Sequence, residues 1–186
     1  MRIITGTARA TKLITPEGLQ TRPTSERAKM GIFNILQFEI KEKRVLDLFA
    51  GSGQMALEAL SRGATNAILV DCDEDAIRCI EANIRKTHME DKAKLISGDF
   101  KTVLRSIAGK QSFDLVFLDP PYKTNYLESA LILLLKHQLL APGATIVCET
   151  APSADIKPPH SLSIARVARY GTNTFTVLTF TKEECS

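Results

Sequence analysis

The sequence predicts an α/β fold: a mostly parallel, Rossmann-like sheet finished by a terminal antiparallel hairpin, with a small N-terminal hairpin-helix extension in front of it. Three observations carry this expectation. From Arg44 onward, short β-branched or apolar runs alternate with amphipathic stretches of helical period. Several of those runs end in an acidic residue or a glycine turn, which in a parallel sheet places polar groups at the carboxyl edge where ligands bind. After Pro158-Pro159 the alternation stops, and two extended segments flank Tyr170-Gly171-Thr172-Asn173 in the manner of a hairpin.

In chain order, residues 2–4 and 11–14 are expected to pair as a small hairpin before Pro16-Glu17-Gly18. A helix over about 26–38 follows, with Thr24 or Ser25 as N-cap and Ile32, Phe33 and Leu36 on one face. The first core strand is expected over 44–49, then a glycine turn and a helix over about 54–62 that stops at Gly63, a residue suited to the left-handed position after a helix. A strand over 66–71 leads into a helix over about 74–87, where Ala76, Ile77, Ile80 and Ile84 make one apolar face. A strand over 93–96 precedes a helix over about 101–107, and a strand over 113–118 precedes a helix over about 126–140, with Pro142-Gly143 as its expected stop. The last parallel strand is expected over 144–149, and residues 162–169 and 174–181 form the terminal hairpin. Periodicity does not reveal strand order, but a Rossmann-like sheet completed by such a hairpin resembles the layout of class I methyltransferases.

A chain of 186 residues with 44% hydrophobic and 24% charged content suits one compact domain, expected over 1–186 with a basic extension over 1–40 and a catalytic core over 41–186. No apolar run approaches the roughly 20 residues a membrane helix needs, and the first residues lack the apolar core of a signal peptide, so a cytoplasmic protein is expected. Cys72, Cys79, Cys148 and Cys185 show neither CxxC pairing nor clustering with histidine, which points to no metal site and no disulfide framework. The net charge of +3 identifies no partner by itself. Its distribution does more: Arg2, Arg9, Lys12, Arg22, Arg27 and Lys29 face only Glu17 and Glu26 within the first 29 residues, so a phosphate-facing segment is expected there.

The run Val45-Leu46-Asp47-Leu48-Phe49-Ala50-Gly51-Ser52-Gly53 reads as a buried strand entering a glycine turn and a helix. Glycines let backbone N–H groups approach a ligand, but the spacing departs from GxGxxG and no Gly-Lys-Ser or Gly-Lys-Thr follows. An acidic strand end also repels phosphate and suits the net cationic S-adenosyl-L-methionine. The next strand ends in Asp71, followed by Cys72 and about 20 residues past the glycines, where a carboxylate accepts from ribose hydroxyls. Asp99 and Phe100 close the third strand as candidate partners for the adenine amino group and ring. Taken singly, Asp47 is equally read as a cap and Asp99 as an N-cap; three acidic strand ends in succession favour the cofactor.

The strand over 113–118 delivers Asp119-Pro120-Pro121-Tyr122 to the same edge. An exocyclic amino group on a base is a poor nucleophile because its lone pair is delocalised into the ring. Acceptors at Asp119 and a prolyl carbonyl orient its N–H bonds, the two prolines hold those acceptors in place, and Tyr122 offers a stacking face. Asp119 is thus an orienter first and a proton acceptor second.

The same residues resemble the bacterial guanine-N2 methyltransferases of small-subunit ribosomal RNA, the RsmD type. The resemblance runs through Met1-Arg2-Ile3-Ile4-x-Gly6, Lys12-Leu13 with Pro16, Thr21-Arg22-Pro23-Thr24-x-x-Arg27, Ile32-Phe33-Asn34-Ile35-Leu36, the 46–53 glycine loop, Glu58-Ala59-Leu60-Ser61-Arg62-Gly63-Ala64 and the 113–122 catalytic segment. It implies a class I fold, S-adenosyl-L-methionine as donor, and a guanine of 16S ribosomal RNA as acceptor, presented within a small ribosomal subunit or its assembly intermediate. It also implies that Arg22 and Arg27 meet RNA phosphates or shape the mouth of the site, with Arg2, Arg9 and Lys12 on the same basic segment. The sequence departs from the family in a less basic first hairpin, in Asp71 where Glu is common, and in Gln54-Met55-Ala56 after the glycine loop. Rival readings are a DNA adenine-N6 methyltransferase, for which no spare target-recognition block is present, a methyltransferase acting on a protein glutamine amide, where Asn normally replaces Asp119, and a noncatalytic RNA-binding assembly factor.

Overall fold

The structure is a computed structural model that describes residues 1–16, 26–121, 124–152 and 156–181. Its elements in order are α1 (Glu26–Ile35), β1 (Arg44–Asp47), α2 (Gln54–Ser61), β2 (Asn66–Asp71), α3 (Glu74–Lys86), β3 (Ala93–Ser97), α4 (Phe100–Ile107), β4 (Phe113–Leu118), α5 (Tyr126–Lys136), β5 (Leu140–Thr150), β6 (Leu162–Tyr170) and β7 (Asn173–Phe180). The seven strands form one sheet in the order β3-β2-β1-β4-β5-β7-β6. Strands β1 to β5 run parallel, β7 is antiparallel to β5, and β6 to β7. The predicted class I, Rossmann-like α/β fold is therefore the observed one. Strand order reverses between β1 and β4, which opens a crevice at their carboxyl ends.

Apolar side chains on the two faces of the sheet form two cores. On one face α1, α2 and α3 contribute Ile32, Phe33, Leu57, Leu60 and Ile80, packed on Leu69, Phe117, Val147, Phe175 and Val177. On the other, α4 and α5 bury Val103, Leu104, Leu131 and Leu134 against Leu46, Val70, Val116 and Ile146. Among the described residues no helix is long and apolar enough to cross a membrane.

The N-terminal segment is part of the first core. Arg2 and Lys12 form an antiparallel bridge, and Ile3 and Leu13 are buried with α1 and α2. Glu58 of α2 holds that segment in place: its carboxylate accepts from the backbone N–H groups of Ile4 at 2.7 Å and Thr5 at 3.0 Å, and from Arg62 Nε at 2.9 Å. Lys29 of α1 lies 3.1 Å from Glu58, both side chains fully buried, and donates to the Arg2 carbonyl. Burial pulls the Lys29 ammonium below its ordinary range, with Glu58 opposing that pull. Asn83 of α3 adds a second anchor: it accepts from Ile14 N–H at 2.8 Å and donates to the Ile14 and Ser52 carbonyls.

Element boundaries differ from the sequence reading where a local signal was unusual. The helix predicted to run to 140 ends at Lys136, because Gln138 takes the left-handed position (φ 53°) that glycine normally fills, and Leu139 N–H closes the turn onto the Leu134 carbonyl. Pro142-Gly143, expected to stop that helix, lies instead in an exposed irregularity within β5, where β4 residues 113 and 115 pair with β5 residues 140 and 145. The helix expected to reach 38 becomes α1, ending at Ile35. Gly171 opens the two-residue turn of the β6–β7 hairpin at φ 63°, and Tyr170 pairs with Asn173 as the sequence signal implied. Gln54-Met55-Ala56 packs into a fully buried α2, with Gln54 Oε1 left without a partner among the described residues. Cys72 is exposed and Cys79 and Cys148 are buried, with no disulfide among the described residues; Cys185, Thr24 and Ser25 lie outside the described residues.

Candidate active site

The sheet delivers its polar residues to one edge because successive parallel strands all end there. Asp47, at the end of β1, is 3% exposed, and its Oδ2 accepts from the Ala56 N–H in the first turn of α2 at 3.1 Å. Burial pushes its carboxyl up to about 7, against that hydrogen bond, with the nearby Asp71 charge adding to the rise. Between them the glycine loop turns sharply: Gly51 and Gly53 both have positive φ, and a Cβ on Gly53 would come within 2.9 Å of the Leu69 side chain. Ala50 N–H bonds the Val70 carbonyl, fastening the loop to the end of β2.

Asp71 completes this fastening. Its Oδ2 accepts from Gly51 N–H at 2.8 Å and its Oδ1 from Asp73 N–H at 3.0 Å, so each oxygen keeps a lone pair for a further donor. Cys72 beside it is exposed, its thiol raised by burial of the sulfur and by the Asp71 charge. Asp99 is the N-cap of α4, with Oδ1 accepting from Lys101 and Thr102 N–H groups. The capping reading of Asp99 is thus realised, and its second oxygen is not used by the cap. Phe100 is buried rather than presented: its ring lies 5.1 Å from Phe49 and 5.2 Å from Tyr126, with Lys101 Nζ 5.7 Å above it. Phe49 and Tyr126 are the half-buried members of that aromatic group.

Asp119 and Pro120 follow β4 directly, at the switch point beside β1. Asp119 keeps an exposed surface yet stands in a cleft walled by protein, so it touches solvent while losing much of the hydration a free carboxylate has. That loss, then the charges of Glu149 and Asp47, raise its carboxyl well above the usual range. Pro120 is buried and Pro121 exposed, whereas Tyr122 lies outside the described residues. Glu149, buried at the end of β5, accepts from the side-chain amide of Asn173 at the start of the neighbouring β7.

The structure therefore brings Asp47, Gly51, Gly53, Asp71 and Asp119 to one crevice, with Ser52 and Ala50 buried in its floor and Phe49 at its aromatic side. Glu149, Asn173, Asn83 and Tyr126 belong to this neighbourhood and were not singled out from sequence. Glu149 carried the same signal as Asp47, an acid ending a buried strand; the other three gave none. Of the basic residues, Arg2 is exposed and pairs with Glu26 at 3.3 Å, which sets the start of α1 beside the hairpin carrying exposed Arg9 and Lys12. Arg27 is exposed on α1, and Arg22 lies outside the described residues. Among the described residues no group of three or more His, Cys, Asp or Glu is placed to hold a metal.

With this geometry in view, comparison with known proteins is specific. The family described as "Conserved hypothetical protein 95" matches residues 1–179. Ribosomal RNA small subunit methyltransferase D of Haemophilus influenzae is 34% identical over 89% of this chain and 86% of its own length. YlbH of Bacillus subtilis is 37% identical over 80% of this chain and 82% of its own. The solved structure of yhhF from Escherichia coli superposes with a TM-score of 0.88 at 31% identity, covering 98% of this chain and 99% of that one. By a family match that spans almost the whole sequence and by these identities, the chain belongs to the RsmD family.

Proposed function

We propose that this protein is an S-adenosyl-L-methionine-dependent methyltransferase that methylates the exocyclic N2 amino group of a guanine in 16S ribosomal RNA, in the cytoplasm, on the small subunit or its assembly intermediate. The observation that carries the chemistry is the convergence of a desolvated Asp119 with the glycine loop and Asp47 at one switch point. Family membership and the name of the Haemophilus relative support ribosomal RNA of the small subunit as the acceptor; the guanine N2 position rests on the resemblance in sequence.

The residues fit the cofactor. A buried carboxyl at Asp47, costly to ionise alone, is stabilised by a neighbouring cation, and Asp71 has lone pairs left for two ribose hydroxyls. When bound, the cofactor supplies an electrophilic methyl group on a sulfonium. The protein does the rest. Asp119 accepts an N–H bond from the base amino group and holds its lone pair toward the methyl; Pro120 and Pro121 fix that acceptor before substrate arrives. After transfer the methylated amine is a strong acid, and Asp119, with its raised carboxyl, is matched to take the proton. Guanine N2 faces the minor groove, so the acceptor base must be unpaired or flipped to reach the cleft.

The test is incubation with labelled methyl donor and, separately, naked 16S RNA, small subunits and DNA, followed by nucleoside mapping. N2-methylguanine in RNA is the expected product, and Asp119→Ala is expected to bind cofactor while losing at least about 100-fold in kcat. Methyladenine in DNA as the main product would overturn the reading.

A further inference from the structure

A groove of about 390 Å³ lies between α1 and the edge strand β6, lined by Arg27, Met30, Gly31, Asn34, Arg166 and Tyr170. It is a consequence of a β-bulge. Leu162 and Ile164 pair with Phe180 and Leu178 on the α4–α5 side, but the irregularity between Ile164 and Arg166 shifts the register. Arg166 then faces Val177 and Ala168 faces Phe175, both in the α1-side core, so Arg166 and Tyr170 turn toward α1. Gly31 makes room for the ring: a Cβ there would sit 2.2 Å from the Tyr170 para carbon.

The charged groups of the lining are both basic, set beside the apolar Met30 and Ile35. Arg27 and Arg166 are exposed, and among the described residues neither has a carboxylate within ion-pair distance. No described lining residue is acidic. Two unpaired guanidiniums, a side-chain amide and an aromatic ring are the groups that hold a single-stranded nucleotide, with charge on the phosphate and ring against the base. The groove also opens at the right edge. Tyr170 pairs with Asn173, whose amide bonds Glu149 at the end of β5, the acid that acts on Asp119.

We propose that this groove binds an unpaired nucleotide of the RNA neighbouring the target base, its phosphate on Arg27 and Arg166 and its base beside Tyr170 and Asn34. The proposal rests on the RNA methyltransferase reading above and adds a second point of attachment, which would hold the strand in register while the target base enters the cleft.

Arg166→Gln and Asn34→Glu, both at exposed positions, test it in the full-length chain. Binding of a fluorescent single-stranded RNA covering the mapped target is measured across salt concentrations, with thermal unfolding and the KM for methyl donor as controls. Arg166→Gln is expected to weaken RNA binding about tenfold and to reduce the salt slope by about 0.7, one phosphate contact on a single strand. Asn34→Glu is expected to weaken binding by repelling the phosphate, with melting temperature and donor KM unchanged for both. Unchanged RNA affinity and slope in two folded variants would overturn the groove while leaving the methyltransferase reading intact. A defect seen only on assembled subunits, with free RNA bound normally, would assign the groove to a protein and also overturn it. Failure of the wild-type chain to methylate any RNA would instead overturn the functional reading on which the proposal stands.

Discussion

Replacing Asp47 with asparagine separates the stability of the sheet from the use of its crevice. The amide that replaces the carboxyl keeps an oxygen for the Ala56 N–H and no longer titrates, while its NH2 is a new buried donor. In the folded wild type the carboxyl titrates near 7, against 3.8 for an ordinary aspartate, so between those values the native state holds a proton that the unfolded chain has released. Stability from this group therefore falls as pH rises, by about 1.4 kcal/mol per pH unit, and levels off above pH 7. The full difference is about 4 kcal/mol as an upper figure, large against a total of roughly 5–15 kcal/mol. Urea unfolding of both proteins followed by circular dichroism from pH 5 to 8 reads it directly. The new amide adds a pH-independent cost, so the slope of the difference is diagnostic: Asp47→Asn is expected to gain on the wild type as pH rises from 5 to 7 and to hold that gain, without adding to it, above pH 7. The same variant should lose about tenfold or more in affinity for the methyl donor at pH 8, by calorimetry. A stability difference that is flat with pH would refute the assignment of a buried, proton-holding Asp47.

Glu58→Gln should cost about 3–5 kcal/mol, because Lys29 is left as a buried charge with a weakened partner; at this chain length that is roughly a 6–20 °C fall in melting temperature. A double-mutant cycle with Lys29→Met should show coupling above about 1 kcal/mol, and simple additivity would count against the pair. Glu149→Gln removes a charge that raises Asp119, so the acid limb of the kcat/KM profile should move to lower pH; an unmoved limb would mean Asp119 is not the group titrating there.

Much of this was legible because parallel sheets translate sequence order into position. An acid at the end of a buried run must arrive at the carboxyl edge, which is why Asp47, Asp71 and Asp119 were readable as neighbours. Phe100 was not, since adjacency to Asp99 says nothing about which way a ring turns, and its place between Phe49 and Tyr126 depends on packing between α4 and α5. The end of α5 escaped because a glutamine fills a glycine's conformation. The basic count of the N-terminal segment included Lys29 as a surface charge, whereas tertiary contact with Glu58 takes it fully inside. The groove beside β6 was hidden for a related reason: it exists only because a bulge rotates Arg166, and a one-residue slip leaves no trace in composition.

The strand order carries one more consequence, for the chain as it is made. β7, the last of the described strands in chain order, does not occupy the rim of the sheet but slots between β5 and β6. Until it arrives, β5 exposes an unpaired backbone edge and Glu149 lacks the Asn173 amide. A nascent chain can thus possess both its glycine loop and its Asp-Pro-Pro segment and still lack the amide that bonds Glu149. Pairing of β7 and closure of this side of the crevice become one event, and the open edge of β5 marks the interval in which the chain is most exposed to pairing with a stray strand.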